Sequence, residues 1–233
     1  MPITDLDQPG AMAFLAEVTS ARNLLAYGVR STRTAAFTST TLDPILTMLS
    51  IGVEKLYKLT LGVARLDREG AWPCVEEMKR WGHNLVRMHD EVMSELHQRT
   101  MDKSPYVRGL VTAVGLDPVI PPLLGALDAY GQMGRFYYLD LLGGQGQAGL
   151  RPDEAWDRVT AVARSNSAAE SLETRLIDDN NAWREYRGAI NERIAGAIEG
   201  IWTTIVTCGR SGVLGDTGTY FGFEIHPHLV GNQ

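Results

Sequence analysis

Cysteine is scarce in this chain: there are two, Cys74 and Cys208, among 233 residues, and they lie far apart in the sequence. Frameworks stapled by disulfides need even sets of cysteines at short spacings, so that class is excluded and both thiols are expected to be reduced. No apolar run approaches the roughly 18 residues of a membrane helix. The first residues are acidic where a signal peptide would be basic. We therefore expect a cytoplasmic protein that does not engage a membrane.

An excess of basic charge is also missing. The formal net charge is −6 and the isoelectric point is near 5.4. Broad electrostatic capture of nucleic acid is therefore disfavoured, although a local basic pocket remains compatible with this charge. Hydrophobic residues make up 44% of the chain. A chain of this length buries roughly 70% of its unfolded surface, so its stability requires neither a metal nor a disulfide.

Motifs for metals and cofactors are absent as well. No two of the five histidines have the four-residue spacing that sets two imidazoles on one helix face. His83 and His97 would lie about 21 Å apart along a helix. The stretch 144–149 matches the letters of a dinucleotide fingerprint, but no strand precedes it and no helix start follows directly. We interpret it as part of a hinge, and we expect no metal and no cofactor.

Helical periodicity dominates what is present, because apolar residues recur at spacings of three and four. One stripe comprises Phe14, Val18, Ala21, Leu25 and Val29. A second comprises Ile45, Leu49, Val53 and Leu56. A third comprises Leu85, Met88, Val92 and Leu96. Each stripe predicts a helix with one buried face, and no alternating pattern predicts a sheet.

Turn and capping residues predict where the early helices begin and end. The hydroxyl-rich stretch 37–41 is interpreted as a connection, followed by a helix start at Asp43 and Pro44. Residues 67–70 are interpreted as a loop. Gly82 predicts a helix break, and Asn84 predicts the N-cap of the next helix.

Later elements are predicted in the same way. A helix is expected from about Leu123 to Leu142, another opens at Pro152, and a polar helix is expected over residues 167–179. A long helix is expected from about Trp183 to Cys208. A short extended segment is predicted at Tyr220–Ile225.

The predicted fold is therefore all-α. We expect an antiparallel helical bundle over residues 1–142, a glycine-rich hinge at 143–151, and C-terminal helices with a tail at 152–233 that pack on the bundle. Isoleucines on several sides of the last long helix exceed what one buried face needs. We take this excess to favour a homo-oligomer.

Two groups of residues are candidates for binding. Glu54 and Lys58 are four residues apart, the favourable order for an ion pair on a helix. They form either a solvated strip or a polar contact to a neighbouring helix or ligand. Arg135 precedes aromatic residues, Tyr138 among them, and then Asp140. Such a set can anchor a phosphate or a base by charge and stacking, although core aromatics beside a salt bridge are the commoner explanation.

Four stretches together resemble the HEPN superfamily, helical domains named for nucleotide binding in higher eukaryotes and prokaryotes. The resemblance covers about residues 10–142. It rests on the amphipathic helix at 22–29, the Gly-Val-Glu-Lys-Leu-Tyr-Lys-Leu stretch at 52–59, the Gly-His-Asn-Leu start at 82–88, and the Arg-Phe-Tyr step at 135–137. It implies an antiparallel HEPN-like bundle.

Many proteins of that superfamily are metal-independent ribonucleases that act as dimers and carry an arginine four to six residues before a histidine. No histidine of this chain has an arginine in that window, and Arg135 has Asp140 where the histidine would stand. A carboxylate there cannot act as a general acid at neutral pH without a large pKa shift. The resemblance therefore implies that the nuclease chemistry is missing.

The favoured hypothesis is a non-catalytic HEPN-like protein that binds a partner protein or a nucleotide-like or RNA-like ligand as a homodimer. Its candidate ligand-binding residues are Glu54, Lys58, His83, Arg135, Tyr138 and Asp140. The alternative is a metal-independent ribonuclease or nucleotide-processing enzyme with a degenerate site assembled across a dimer. A third hypothesis is a structural helical protein without a ligand.

Overall fold

The computed structural model describes residues 5–146, 149–165, 169 and 180–227, and within them it contains helices and no strand. The prediction of an all-α helical fold is confirmed. The predicted helix at 167–179 lies outside the described residues, apart from residue 169. The described ranges contain ten α-helices: α1 (Gln8–Thr34), α2 (Thr38–Glu69), α3 (Val75–Trp81), α4 (Leu85–Arg99), α5 (Pro105–Leu116), α6 (Ile120–Gln132), α7 (Tyr137–Leu142), α8 (Pro152–Arg164), α9 (Asn180–Arg210) and α10 (Gly215–Glu224).

No single helix in this described part is both long and apolar enough to cross a bilayer, although α5 and α6 taken as a pair reach that length and composition.

The chain divides into two compact units. The first unit comprises Met1–Ala26, Ile51–Leu116 and Gly200–Gln233, and the second comprises Tyr27–Ser50 and Asp117–Glu199. Each unit draws on chain from both sides of the predicted hinge, of which residues 147–148 lie outside the described residues. The domain bounds expected from the sequence stay a prediction.

The predicted apolar stripes form the cores of both units. In the first unit, the stripe of α4 is fully buried, and so are the parts of the α1 and α2 stripes that belong to this unit. Gly52 explains how closely α1 and α2 approach, because a β-carbon there would lie 3.1–3.2 Å from Leu25. Arg99 of α4 donates to the Ala64 carbonyl and to Asp67 of α2, and to the Val213 carbonyl before α10.

In the second unit, α9 holds the end of α1 by polar contacts. Arg33 forms ion pairs with both Glu192 and Glu199, which raise the pKa of its guanidinium. Asn191 donates to the Ala35 carbonyl at 3.0 Å, so one of the carbonyls left without a partner beyond the end of α1 is satisfied. The buried side-chain amide of Asn191 thereby has a hydrogen-bond partner, which offsets the cost of removing it from water.

Two expectations for α2 were wrong. The stretch 37–41 is not a connection, because α2 begins at Thr38, and Pro44 lies inside the helix instead of opening it. The Thr40 and Thr41 hydroxyls donate to the Phe37 carbonyl, and the Asp43 carboxylate accepts a hydrogen bond from Tyr130. Threonine is only slightly less favourable in a helix than other residues, and one proline removes a single helical hydrogen bond. Tertiary packing therefore overrides both the hydroxyl-rich stretch and Pro44 as signals against a helix.

The other end of α2 also differs from expectation. Residues 67–69 are helical, and the chain leaves the helix at Gly70, whose φ of +68° suits a glycine C-cap. The expected helix from Leu123 to Leu142 is interrupted. Helix α6 ends at Gln132, a 3-10 turn covers Gly134–Phe136, and α7 follows.

The extended segment predicted at Tyr220–Ile225 is a helix, α10, closely packed against the end of α9. A β-carbon at Gly222 would lie 2.6–2.9 Å from backbone atoms of Arg210 and Val206. Trp202 donates to the Ile225 carbonyl at 2.8 Å. Gly222 has no side chain and therefore allows the two helix backbones to approach this closely.

Replacing Gly222 with alanine should destabilise the protein by about 2 kcal/mol, because the added methyl meets backbone that cannot move aside. Gly200→Ala is the matched control, since a β-carbon at Gly200 has open space on a helix of the same unit. The control should change the free energy of unfolding by less than about 1 kcal/mol. Urea denaturation measures both, and equal midpoints would contradict the close packing of α10.

Candidate functional site

Three of the six candidate residues lie together in the first unit. The Glu54 carboxylate accepts a hydrogen bond from Lys58 Nζ at 2.7 Å and from His83 Nδ1 at 3.0–3.1 Å. We call these three residues the Glu54 cluster. The side chains of Glu54 and Lys58 are largely covered, while that of His83 is mostly exposed. The pair on α2 is therefore a polar contact to a neighbouring segment and not a solvated strip.

Local sequence explains why His83 reaches Glu54. Gly82 closes α3 with a φ of +59°, a backbone conformation that other residues rarely adopt, and its N–H donates to the Lys79 carbonyl. Asn84 caps α4 by accepting the Arg87 N–H at 2.8 Å, as the sequence predicted. His83 is held between these two fixed residues.

The Glu54 cluster has a definite chemical capacity. A carboxylate that accepts from Nδ1 fixes the imidazole tautomer and leaves Nε2 for another partner. The Lys58 ammonium forms an ion pair with the same carboxylate. Within the described ranges, no three His, Cys, Asp or Glu side chains are grouped so that they could hold a metal ion.

A second histidine pair in this unit was not predicted. The Tyr57 hydroxyl lies 2.7 Å from His89 Nδ1, and the tyrosine is fully buried. Burial raises the pKa of Tyr57 and lowers the pKa of His89, so both groups are neutral at neutral pH. This contact satisfies a buried hydroxyl and a half-buried imidazole. The sequence does not reveal it, because the two residues are 32 positions apart.

His89 should make stability depend on pH. Its ordinary pKa is 6.5, and the folded value is lower. The unfolded chain therefore binds a proton that the folded chain does not, and stability falls as the pH drops below about 6.5. His89→Gln should lose part of this pH dependence, whereas the control His97→Gln, on the exposed side of the same helix, should keep it. Urea denaturation at several pH values between about 5 and 7.5 gives the free energy of unfolding as a function of pH. The same dependence of this free energy on pH in both variants would contradict the prediction.

The other three candidates lie in the second unit. Arg135 is in the 3-10 turn, where its guanidinium donates to the Gly131 carbonyl at 2.6 Å and lies over the Phe136 ring. On α7, the Tyr138 hydroxyl donates to Asp153 at 3.1 Å. Asp140 lies on the same short helix. The structure brings these residues into one local segment on the surface.

This segment is unusually apolar for a surface. Six large hydrophobic side chains within ten residues are each between 51% and 84% exposed. They are Met133, Phe136, Tyr138, Leu139, Leu141 and Leu142. We call this surface the apolar segment 133–142. The aromatic residues are therefore not core residues, which was the commoner explanation of this sequence stretch.

Burial also bears on the expected self-association through the last long helix. The residues that suggested it are all buried within the chain. They are Ile190, Ile194, Ile198, Ile201 and Ile205. That observation therefore no longer favours a homo-oligomer, and self-association stays a prediction.

Sequence inspection also missed a cavity of about 410 Å³ in the second unit. The first turn of α2, one face of α8 and the first turns of α9 line it, and it opens to solvent. Its wall includes two tryptophans and two arginines, Trp156, Trp183, Arg164 and Arg187. The sequence offers little that predicts this cavity, because its lining residues come from separate helices and only tertiary folding brings them together.

No family model, curated protein or solved structure matches this chain.

Proposed function

We propose that this protein is a non-catalytic, HEPN-like helical protein that works by binding, and that its partner is a second copy of itself docked on the apolar segment 133–142. The six exposed hydrophobic side chains of that segment carry the proposal. Monomeric proteins seldom expose so continuous an apolar patch without a use for it. A cytoplasmic location stays a prediction.

The area of the segment supports a dimer. At roughly 200 Å² for each large side chain, the exposed fractions correspond to about 600 Å² or more per copy. A twofold contact would then bury about 1,200 Å² in total, at the lower limit for specific interfaces. In a twofold dimer the same surface of each copy contacts the other, so the apolar segment 133–142 of one copy packs on that of the second. The segment contains one basic residue, Arg135, and one acidic residue, Asp140. Opposite charges can therefore meet across the twofold contact.

The HEPN-like assignment is supported by the Glu54 cluster. Its hydrogen bond from His83 to Glu54 joins two of the four stretches on which the resemblance to that superfamily rests, 52–59 and 82–88. The non-catalytic assignment is supported by the sequence, in which Asp140 occupies the position of the expected histidine. A nucleotide-like ligand or a different partner protein remains part of the hypothesis drawn from the resemblance.

Placing a charge in the segment should prevent dimerisation. Leu142→Glu and Leu139→Glu should leave the fold intact, because both side chains are well exposed, and should convert a dimer into a monomer. Leu116→Glu is the matched control, since this leucine is 76% exposed at the end of α5. Sedimentation at micromolar concentration measures the masses. A monomeric unmodified protein, or equal loss in the control, would reject the proposed interface.

The non-catalytic assignment has its own test. Incubation with single-stranded RNA in the presence of a chelator should give no cleavage above that of a blank preparation. Cleavage that His83→Ala or Arg135→Ala abolishes would establish the alternative, a metal-independent ribonuclease with a degenerate site. Circular dichroism of both variants controls for misfolding.

A further inference from the structure

The cavity of the second unit has the size of a small-ligand site. Its volume of about 410 Å³ lies within the range of small-molecule pockets. Five of its thirteen lining residues are apolar or aromatic, and the other eight, two arginines and two acids among them, are polar or charged. None of the residues 133–142 lines the cavity, although Tyr138 of the apolar segment 133–142 donates a hydrogen bond to Asp153 of the lining.

An aromatic wall lines one side. Trp156 and Tyr186 are each only 5% exposed, so the surrounding helices fix their rings. Trp183 is 48% exposed and packs edge-on against Tyr186, with ring centroids 6.0 Å apart. An exposed indole on a fixed aromatic base offers a face on which a planar ring can stack.

Arg187 provides an unsatisfied donor. Its Nη1 donates to the Ala36 carbonyl at 2.6 Å, and its guanidinium lies 5.3 Å from the centre of the Phe37 ring. Its Nε is buried and has no hydrogen-bond partner in the described structure. A buried donor without an acceptor is costly. Arg187 also lines the cavity, so its guanidinium charge is available to an anionic group bound there.

The charges of the cavity favour an anion. Arg164 adds a second guanidinium to the lining. Of the two lining acids, Asp153 is held by two hydrogen bonds from Arg151 and one from Tyr138, so its charge is offset locally. Asp157 then remains as an acceptor for a donor group on the ligand. The first turn of α2, which contains Thr38 and Ser39 and no acidic residue, contributes the positive end of a helix dipole.

We propose that this cavity binds a small planar aromatic molecule that carries one anionic group. The ring stacks on Trp183, and the anionic group accepts hydrogen bonds from Arg187, with Arg164 adding charge. Guanidinium groups bind carboxylates and phosphates with the same planar geometry, so the anion is of either kind.

Calorimetric titration of the full chain with defined probes tests the proposal. Indole-3-acetate presents a carboxylate, adenosine monophosphate presents a phosphate, and indole is the uncharged comparison. At least one of the two anions should bind one per chain at millimolar concentration or below, and about tenfold more tightly than indole. The anion that binds identifies the carboxylate or the phosphate class. Binding of neither anion, or equal binding of indole, would overturn the proposal.

Variants locate the binding. Arg187→Gln should weaken binding of the anion about tenfold or more, and Arg164→Gln and Trp183→Leu should also weaken it. Arg187→Gln loses the hydrogen bond to the Ala36 carbonyl and could unfold for that reason. Arg164 and Trp183 are exposed, so their variants should fold and still test the site. Arg184→Gln is the matched control, because Arg184 is exposed on α9 and does not line the cavity. Weakening in the control, or unchanged affinity in all three cavity variants, would overturn the site.

Discussion

Close approach of α1 to α2 is the constraint on which the rest of the structure depends. Gly28 lies against Leu49 in the second unit, and Gly52 lies against Leu25 in the first, and in both places a β-carbon would meet the leucine side chain at 3.2 Å or less. Helix α2 carries Glu54 and Lys58 of the Glu54 cluster and also Thr38 and Ser39 of the cavity. Within each unit, α1 therefore fixes its own part of α2, which carries Glu54 and Lys58 in the first unit and Thr38 and Ser39 in the second.

The candidate surfaces arise where regular helix is interrupted. Gly82 ends α3 and presents His83 to Glu54. The chain leaves α6 at Met133, makes a 3-10 turn and continues as the six-residue α7, which is too short to bury its apolar side chains. A continuous helix would have turned part of that face inward. The interruption therefore produces the exposed surface on which the proposed dimer depends.

Much of the local structure could be predicted because its causes are local. The stripe Leu85, Met88, Val92 and Leu96 is buried as its spacing predicts, and Asn84 caps α4. The errors arose where packing outweighed propensity. Pro44 is tolerated inside α2, and the segment predicted to be extended at Tyr220–Ile225 lies in α10, where Gly222 allows close packing on α9. The cavity could not be predicted, because its walls come from positions more than a hundred residues apart.

The sequence by itself determined that this is a helical protein and which faces of its helices are buried. Periodicity and residue identity suffice for these conclusions, since both are properties of one stretch of chain. Only the tertiary structure decided that His83 contacts Glu54, that the residues around Tyr138 are exposed, and that Arg187 lines a cavity beside Trp183. These depend on which distant helices meet, and hydrophobic burial is non-directional, so the pattern of apolar residues leaves that choice open.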